Sequence, residues 1–243
     1  MSTYIFYKKP EIVDRQIHRQ TRLKLQANGF NFASVTNSVP ITSFEFSQAC
    51  QEYPIVFAMD ELGGGVPLAL LGLRDAENLF IGKEGQWDGY YIPAFVRRYP
   101  FILQNGAAKG EFTLLIDTEA EGFNAPDGEM LFNEDGSNSA MLNTAMEMMN
   151  QFNSAADVTA GFVRKLRELD LLTPRTINVT TAQGQSFGMT GFSAVDEAKL
   201  ATLSDADLLS LTRSGYLFGI YAHLISLSNI QKLMLRVDRL VAV

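Results

Sequence analysis

Cysteine and histidine are both scarce in this sequence, which limits the chemistry available to the protein. Cys50 is the only cysteine, and His18 and His223 are the only histidines, in a chain of 243 residues. A single cysteine cannot form an internal disulfide, and no cysteines and histidines have the spacing of a zinc site. No phosphate-binding loop opens a helix. We therefore expect no metal site and no cofactor, and we interpret Cys50 as a small core residue rather than a nucleophile.

Excess positive charge and long apolar runs are missing as well. The 27 acidic residues outnumber the 20 basic ones, and the formal net charge is −7. Nucleic acid is not an expected partner, because binding to phosphates requires concentrated Lys and Arg. No run approaches the ~20 apolar residues of a membrane span, and the N-terminal segment lacks the charge order of a secretory signal. These absences predict a soluble, cytoplasmic protein without a membrane span, for which an envelope association would need another export route.

Aromatic and arginine side chains are abundant in one stretch, residues 85–103. It includes Trp87, Tyr90, Tyr91, Phe95, Arg97, Arg98, Tyr99 and Phe101. Pro93 suits the first position of a helix and Pro100 cannot continue one, so residues 93–99 are predicted to form a short helix. Such a helix needs its aromatic face packed on a core. The alternative is a platform for a ligand or partner, because Tyr, Trp and Arg are enriched at interfaces.

No residue stands out as a catalytic group. His223 lies among apolar residues of a predicted helix, where a histidine is usually a hydrogen-bonded core residue, although a buried imidazole can be tuned for acid–base work. An enzymatic role would rest on His223, the two arginines and the acidic residues around Asp117. The candidate binding residues are Trp87, Tyr91, Arg97, Arg98, Tyr99 and His223.

The apolar pattern predicts an α+β fold, with an antiparallel sheet in the N-terminal half packed by helices from the C-terminal half. Short apolar runs predict four or more antiparallel strands between residues 55 and 116, including one at 78–81. A period of two over residues 17–25 predicts a further strand. We expect a single domain over residues 1–243, with a β-rich part at 1–138 and a mainly helical part at 139–243.

Helical spacing and capping residues predict most of the remaining elements. Thr42 and Glu45 have the spacing of a capping box at the start of a helix. The predicted helices are 43–53, 140–172 with a break at Asn153-Ser154, 204–215 and 216–240, and a small hairpin pairs 177–180 with 187–192 around Ala182-Gln183-Gly184.

Several motifs resemble the bacterial SapC family, and they occur in order along nearly the whole chain. The most specific is Tyr91-Ile92-Pro93-Ala94-Phe95-Val96-Arg97-Arg98-Tyr99-Pro100-Phe101. Its companions are Pro54-Ile55-Val56-Phe57, Asn78-Leu79-Phe80, Gly85-Gln86-Trp87, Leu131-Phe132 before Asp135-Gly136, and Ala222-His223-Leu224-Ile225-Ser226-Leu227. A peptide-transport permease that shares the name spans membranes and is a different protein.

The resemblance implies a biological setting rather than a mechanism. The SapC name comes from members linked to a paracrystalline surface layer, and relatives tend to be encoded near outer-membrane nutrient receptors and flavin-dependent tryptophan-halogenase-like proteins. It implies no catalytic residues. We therefore predict a non-catalytic accessory or binding protein of bacterial envelope, surface-layer or nutrient-uptake systems, with a protein, peptide or small-molecule partner. The alternative is an enzyme, or an enzyme partner, that acts with a flavin-dependent halogenase-like protein. The oligomeric state stays open.

Overall fold

The computed structural model of this protein describes residues 4–25, 29–59, 64–105, 112–180, 184 and 186–241. Helices pack on antiparallel sheets, which confirms the predicted α+β class. The strands are β1 (Pro10–Ile12), β2 (Arg22–Leu23), β3 (Ser38–Pro40), β4 (Ile55–Met59), β5 (Gly65–Leu70), β6 (Phe101–Asn105), β7 (Phe112–Asp117), β8 (Glu129–Met130), β9 (Leu172–Thr180) and β10 (Ser186–Val195). The α-helices are α1 (Phe46–Ala49), α2 (Ala94–Arg97), α3 (Ala140–Glu168), α4 (Glu197–Ala201), α5 (Asp205–Arg213), α6 (Tyr216–Ser226) and α7 (Ile230–Val241).

The chain divides into two compact units, and each unit collects segments that are distant in sequence. The first comprises Met1–Ala33, Ile81–Trp87 and Phe95–Ser154. The second comprises Ser34–Phe80, Asp88–Ala94 and Ala155–Val243. The organisation as one domain over residues 1–243, divided at residue 138, stays a prediction.

The first unit is built on a three-stranded antiparallel sheet in the order β1-β7-β6. Ile116 of the central strand β7 lies opposite Glu11 of β1 on one side and opposite Phe101 of β6 on the other. A buried cluster joins this sheet to the first half of α3 through Leu23, Phe101, Ile116, Leu131, Phe132, Leu142 and Met149. Met141 and Met146 pack against that cluster. These three methionines of α3 therefore belong to the core of the first unit.

The second unit is built on a five-stranded sheet in the order β3-β5-β4-β10-β9. The predicted hairpin is confirmed and is longer than expected, because β9 and β10 pair from Leu172↔Val195 to Thr180↔Ser186. Its predicted turn residues Ala182 and Gln183 lie outside the described residues. Phe162 of α3 contacts the rings of Phe46 and Phe57, so the second half of α3 supplies part of this core.

The prediction of one sheet between residues 55 and 116 is wrong, because the strands of this region belong to two different sheets. β4 and β5 pair within the five-stranded sheet, whereas β6 and β7 pair within the three-stranded one. Each hairpin takes its next strand from a distant part of the chain, since β10 joins β4 and β1 joins β7. Residues 78–81 form no strand, and Ile81 makes only an isolated bridge with Trp87.

Three local predictions also change. The strand expected at residues 17–25 is limited to β2, because the Asp14 side chain accepts the backbone N–H groups of Gln16 and Ile17 and holds a turn there. α3 runs without a break at Asn153-Ser154, where no proline interrupts it. The helix predicted at residues 216–240 is instead divided into α6 and α7 by a 3-10 turn, Leu227–Asn229.

The predicted helix at residues 43–53 is shorter, but its capping box is present. A 3-10 turn, Ser43–Glu45, leads into α1, and Glu45 Oε2 accepts the backbone N–H of Thr42 at 2.8 Å. Phe46 and Ala49 are fully buried. Cys50 is only half-buried, at the C-terminal end of α1, so its interpretation as a core residue is wrong.

Candidate functional site

We call the aromatic and arginine-rich stretch at residues 85–103 the aromatic block. Its residues Arg98 and Tyr99 lie in a buried polar cluster in the first unit. We call Tyr7, Arg98, Tyr99 and Asp117 the Asp117 cluster. Asp117 ends β7 and is 0% exposed. Its carboxylate accepts the backbone N–H groups of Lys8 at 3.0 Å and Lys9 at 2.9 Å, together with the Tyr99 hydroxyl at 3.0 Å. The carboxylate thus ties the N-terminal segment to β7 and to the residue before Pro100.

The two tyrosines of the Asp117 cluster are held in their neutral forms. Burial raises the pKa of Tyr7, and the Arg98 guanidinium, which hydrogen-bonds the Tyr7 hydroxyl, opposes that rise. The same hydroxyl donates to the Phe101 carbonyl at 2.6 Å. Burial, followed by the nearby Asp117 carboxylate, raises the pKa of Tyr99. Both phenols therefore serve as hydrogen-bond donors within a packed polar network.

The two adjacent arginines differ in their surroundings. Arg98 is 5% exposed, and its guanidinium carbon lies 3.9 Å from the centre of the Phe95 ring and 5.3 Å from that of Phe152. Arg97 is exposed at the C-terminal end of α2. Packing therefore uses Arg98, and Arg97 is the arginine that a partner in solution can reach.

Alanine substitution should show that the two arginines contribute differently to the free energy of unfolding. We expect Arg98→Ala to lower the free energy of unfolding by about 2–3 kcal/mol, because it removes a buried stem and a cation–π contact. Arg97→Ala should change it by less than about 0.5 kcal/mol, as substitutions of exposed residues usually do. Urea denaturation of both variants beside the wild type measures the difference. Equal destabilisation by the two substitutions would contradict this assignment.

Trp87 lies at the edge of the first unit's aromatic packing. Its ring meets Phe30 edge to face, with ring centres 5.9 Å apart. The side chain is half-buried. Residue 87 also pairs with Ile81 across the turn that contains Gly85, whose φ of +81° suits glycine. Trp87 therefore contributes less apolar burial than a fully enclosed tryptophan would.

Tyr91 belongs to the second unit, where charged side chains fix the segment Asp88–Ala94. Glu45 Oε1 accepts the Tyr91 hydroxyl and the Ala94 backbone N–H, both at 2.8 Å. Glu52 accepts the backbone N–H groups of Tyr90 and Tyr91, again both at 2.8 Å. Two carboxylates therefore hold the backbone of this segment in one conformation.

A groove of about 500 Å³ in the second unit runs beside this fixed segment. We call it the Tyr90 groove. Its polar lining consists of Gln48, Gln51, Glu52, Lys232 and Arg236. Its aromatic lining consists of Phe80, Tyr90 and Tyr91. Its volume lies in the range of small-molecule sites, and its mixture of rings with a few charged groups is typical of them.

Specific contacts hold the two cations of the Tyr90 groove and the backbone that carries its exposed ring. Tyr90 is 102% exposed, yet its backbone is held by Glu52. The Arg236 guanidinium carbon lies 4.1 Å from the centre of the buried Phe80 ring, and Asp88 and the Leu79 carbonyl accept its N–H groups. Lys232 donates to the Gln51 carbonyl at 2.7 Å. An exposed ring and two cations therefore border one groove on a fixed frame.

The SapC family model matches residues 13–233 of this chain. The chain belongs to the SapC family. No curated protein and no solved structure matches it. In this SapC-family protein the matched span contains the whole Asp117 cluster except Tyr7, and it contains every lining residue of the Tyr90 groove except Arg236.

His223 of this SapC-family protein is enclosed by backbone groups in the second unit. Nε2 accepts the Val195 N–H at 3.0 Å, and Nδ1 lies 2.8 Å from the Ile55 carbonyl oxygen, to which its proton is donated. The ring centre is 4.9 Å from that of Phe57. Burial lowers the pKa of His223 to about 4. The imidazole is therefore neutral near pH 7 and bridges β4 to β10, and it does not line the Tyr90 groove.

The six candidate residues therefore lie in different environments. Trp87, Arg97, Arg98 and Tyr99 belong to the first unit, and Tyr91 and His223 to the second. Arg98 and Tyr99 share the Asp117 cluster, and Tyr91 alone among the six lines the Tyr90 groove. Sequence reasoning missed the groove residues Gln48, Gln51, Glu52, Phe80, Tyr90, Lys232 and Arg236 as site residues. The available signals were the position of Tyr90 in the aromatic block and the helical spacing of Lys232 and Arg236, which share one face of α7.

Two kinds of feature are absent from the described residues. They contain no group of three or more His, Cys, Asp or Glu side chains placed to hold a metal ion. None of the helices in the described part of the chain is both long and apolar enough to cross a membrane.

Proposed function

We propose that this SapC-family protein is a non-catalytic binding protein and that its ligand occupies the Tyr90 groove. The observation that carries the proposal is the fully exposed Tyr90 ring on a backbone fixed by Glu52, beside the cations Lys232 and Arg236. A rigid frame lowers the entropy lost on binding, and exposed tyrosine and arginine are enriched where proteins bind partners.

Several contacts favour binding over catalysis. Both oxygens of Glu52 accept backbone N–H groups, so this carboxylate is engaged in holding the frame. Both nitrogens of His223 face backbone partners, and the low pKa of this histidine keeps it neutral over most of the physiological range. These groups are used to hold structure, whereas a general base must reach the proton that it removes.

The biological setting that we propose is supported by the family resemblance alone. SapC resemblance suggests an accessory role in bacterial envelope, surface-layer or nutrient-uptake systems, in which the groove would hold a small molecule or a peptide. Action with a flavin-dependent halogenase-like protein is the alternative setting, and the experiment below distinguishes binding from turnover. The cytoplasmic location stays a prediction that cell fractionation can test.

A thermal-shift screen of the purified protein tests the proposed function. The probes are amino acids, short peptides, simple sugars and small carboxylates at millimolar concentration. At least one probe should raise the melting temperature of the wild type, and Tyr90→Ala should abolish that shift. Tyr221→Ala serves as the matched control, because Tyr221 is also exposed but does not line the groove. Mass spectrometry should recover the bound probe unchanged, and its conversion to a product would contradict the proposal.

A further inference from the structure

The Tyr90 groove offers two kinds of contact to one ligand. Tyr90 presents a fully exposed ring, and the Arg236 guanidinium stacks over Phe80 while Asp88 holds it in place. A guanidinium that already covers one ring can also stack on a second planar group, because its charge is delocalised over a flat face. The aromatic side of the groove is therefore suited to a flat ring.

Lys232 supplies the second contact, which is a positive charge. It is exposed, and it makes no ion pair with another described residue. Its ammonium group has three donors, of which the Gln51 carbonyl accepts one at 2.7 Å. The remaining donors can bind an oxyanion of a ligand, and charge-assisted hydrogen bonds are stronger than neutral ones.

The surrounding charges indicate which oxyanion fits. Glu52 lines the groove, and Asp88 pairs with Arg236 beside it. Asp88 already compensates the second cation, so a ligand meets one uncompensated positive charge, on Lys232, and one nearby carboxylate. A multiply charged phosphate would be repelled by these carboxylates more strongly than a group with a single negative charge. A carboxylate therefore fits better than a phosphate.

We propose that the Tyr90 groove binds a planar ring that carries one carboxylate, which is the chemistry of an aromatic amino acid or of the C-terminal aromatic residue of a peptide. The ring lies against Tyr90 and the Arg236 guanidinium, and the carboxylate pairs with Lys232. This inference rests on the proposed function and specifies the ligand class of the same groove. Gln48, Gln51 and Lys232 are exposed at its border, so the residues that precede a C-terminal aromatic residue have room to extend into solvent.

Calorimetric titration with three related probes tests the two contacts separately. N-acetylphenylalanine carries the ring and the carboxylate, N-acetylphenylalaninamide carries only the ring, and N-acetylalanine carries only the carboxylate. We expect the first to bind and each of the others to bind at least about tenfold more weakly, a difference of about 1.4 kcal/mol, since each of them lacks one of the two contacts. Free phenylalanine and N-acetyl-glycyl-phenylalanine then distinguish a free amino acid from a peptide end. If N-acetylphenylalaninamide or N-acetylalanine binds as tightly as N-acetylphenylalanine, the proposal is overturned.

Substitutions locate the binding and provide controls. Lys232→Gln and Tyr90→Ala should each weaken N-acetylphenylalanine binding at least about tenfold. Lys83→Gln and Tyr221→Ala, which change an exposed lysine and an exposed tyrosine outside the groove, should leave it unchanged. Unaltered binding by the two groove variants, or absence of binding by all three probes, overturns the inference. If another ligand class then binds in a Tyr90-dependent manner, the proposed function stands without this ligand class.

Discussion

Replacement of Asp117 by alanine is expected to lower the free energy of unfolding by about 3–5 kcal/mol. The Asp117 carboxylate is fully buried and accepts hydrogen bonds from Lys8, Lys9, Tyr99 and the Glu119 backbone N–H. Alanine leaves those donors without their acceptor, and each buried donor without an acceptor costs about 1–3 kcal/mol. Water can hydrate the donors nearest the surface, so the total loss of stability is smaller than the sum of the individual costs.

Urea denaturation of Asp117→Ala and of a matched control measures this effect. Asp127→Ala is the control, because Asp127 forms an exposed ion pair with Lys24 and exposed pairs contribute little to stability. Asp117→Asn should lie between the wild type and Asp117→Ala, since it retains one acceptor oxygen but places an amide N–H₂ against donors. A loss from Asp117→Ala no larger than that from Asp127→Ala would show that the Asp117 cluster does not stabilise the first unit.

Replacement of His223 by alanine is expected to cost about 3–5 kcal/mol near pH 7.5, because it opens a cavity and leaves the Val195 N–H and the Ile55 carbonyl without their partner. The cost should shrink as the pH falls. Burial lowers the pKa of His223 to about 4 in the folded protein, against an ordinary value of 6.5. The unfolded chain therefore takes up the proton first, and the stability contributed by the neutral imidazole is lost as the pH falls from about 6.5 to about 4.

The size of this pH effect follows from the two pKa values. Between about pH 7.5 and about pH 5 the wild type should lose about 2 kcal/mol through His223 alone, whereas His223→Ala has no such loss. Carboxylates titrate in the same interval in both proteins, so the difference between the two urea-unfolding curves isolates the histidine. A cost of substitution that is constant over this interval would contradict burial of the neutral form.

The aromatic block illustrates how far local sequence patterns reach. Pro93 and Pro100 predicted a short helix, and α2 lies between them. The same block predicted two arginines at the end of that helix without distinguishing them, and only packing on Phe95 separates buried Arg98 from exposed Arg97. Proline restricts the backbone of its own neighbourhood, whereas burial depends on which distant side chains arrive.

Glu45 of the capping box also shows that a local pattern predicts local contacts but not distant ones. The spacing of Thr42 and Glu45 predicted a helix start, and Glu45 does accept the Thr42 N–H. Its other oxygen holds Tyr91 and Ala94, which are 46 and 49 residues further along the chain. No local pattern marks those partners, so the Tyr90 groove was not predicted although its most exposed ring lies in the aromatic block.

The sequence by itself determined the family, the α+β class, the β9–β10 hairpin and most helices, because ordered motifs, apolar periods and caps are properties of neighbouring residues. Only the tertiary structure decided that β4 and β6 belong to different sheets, that His223 bridges two strands, and that Lys232 and Arg236 border the same groove as Tyr90. These outcomes depend on pairing between segments far apart in the chain. Such pairing is selected by shared burial and backbone hydrogen bonding, for which local propensity carries little information.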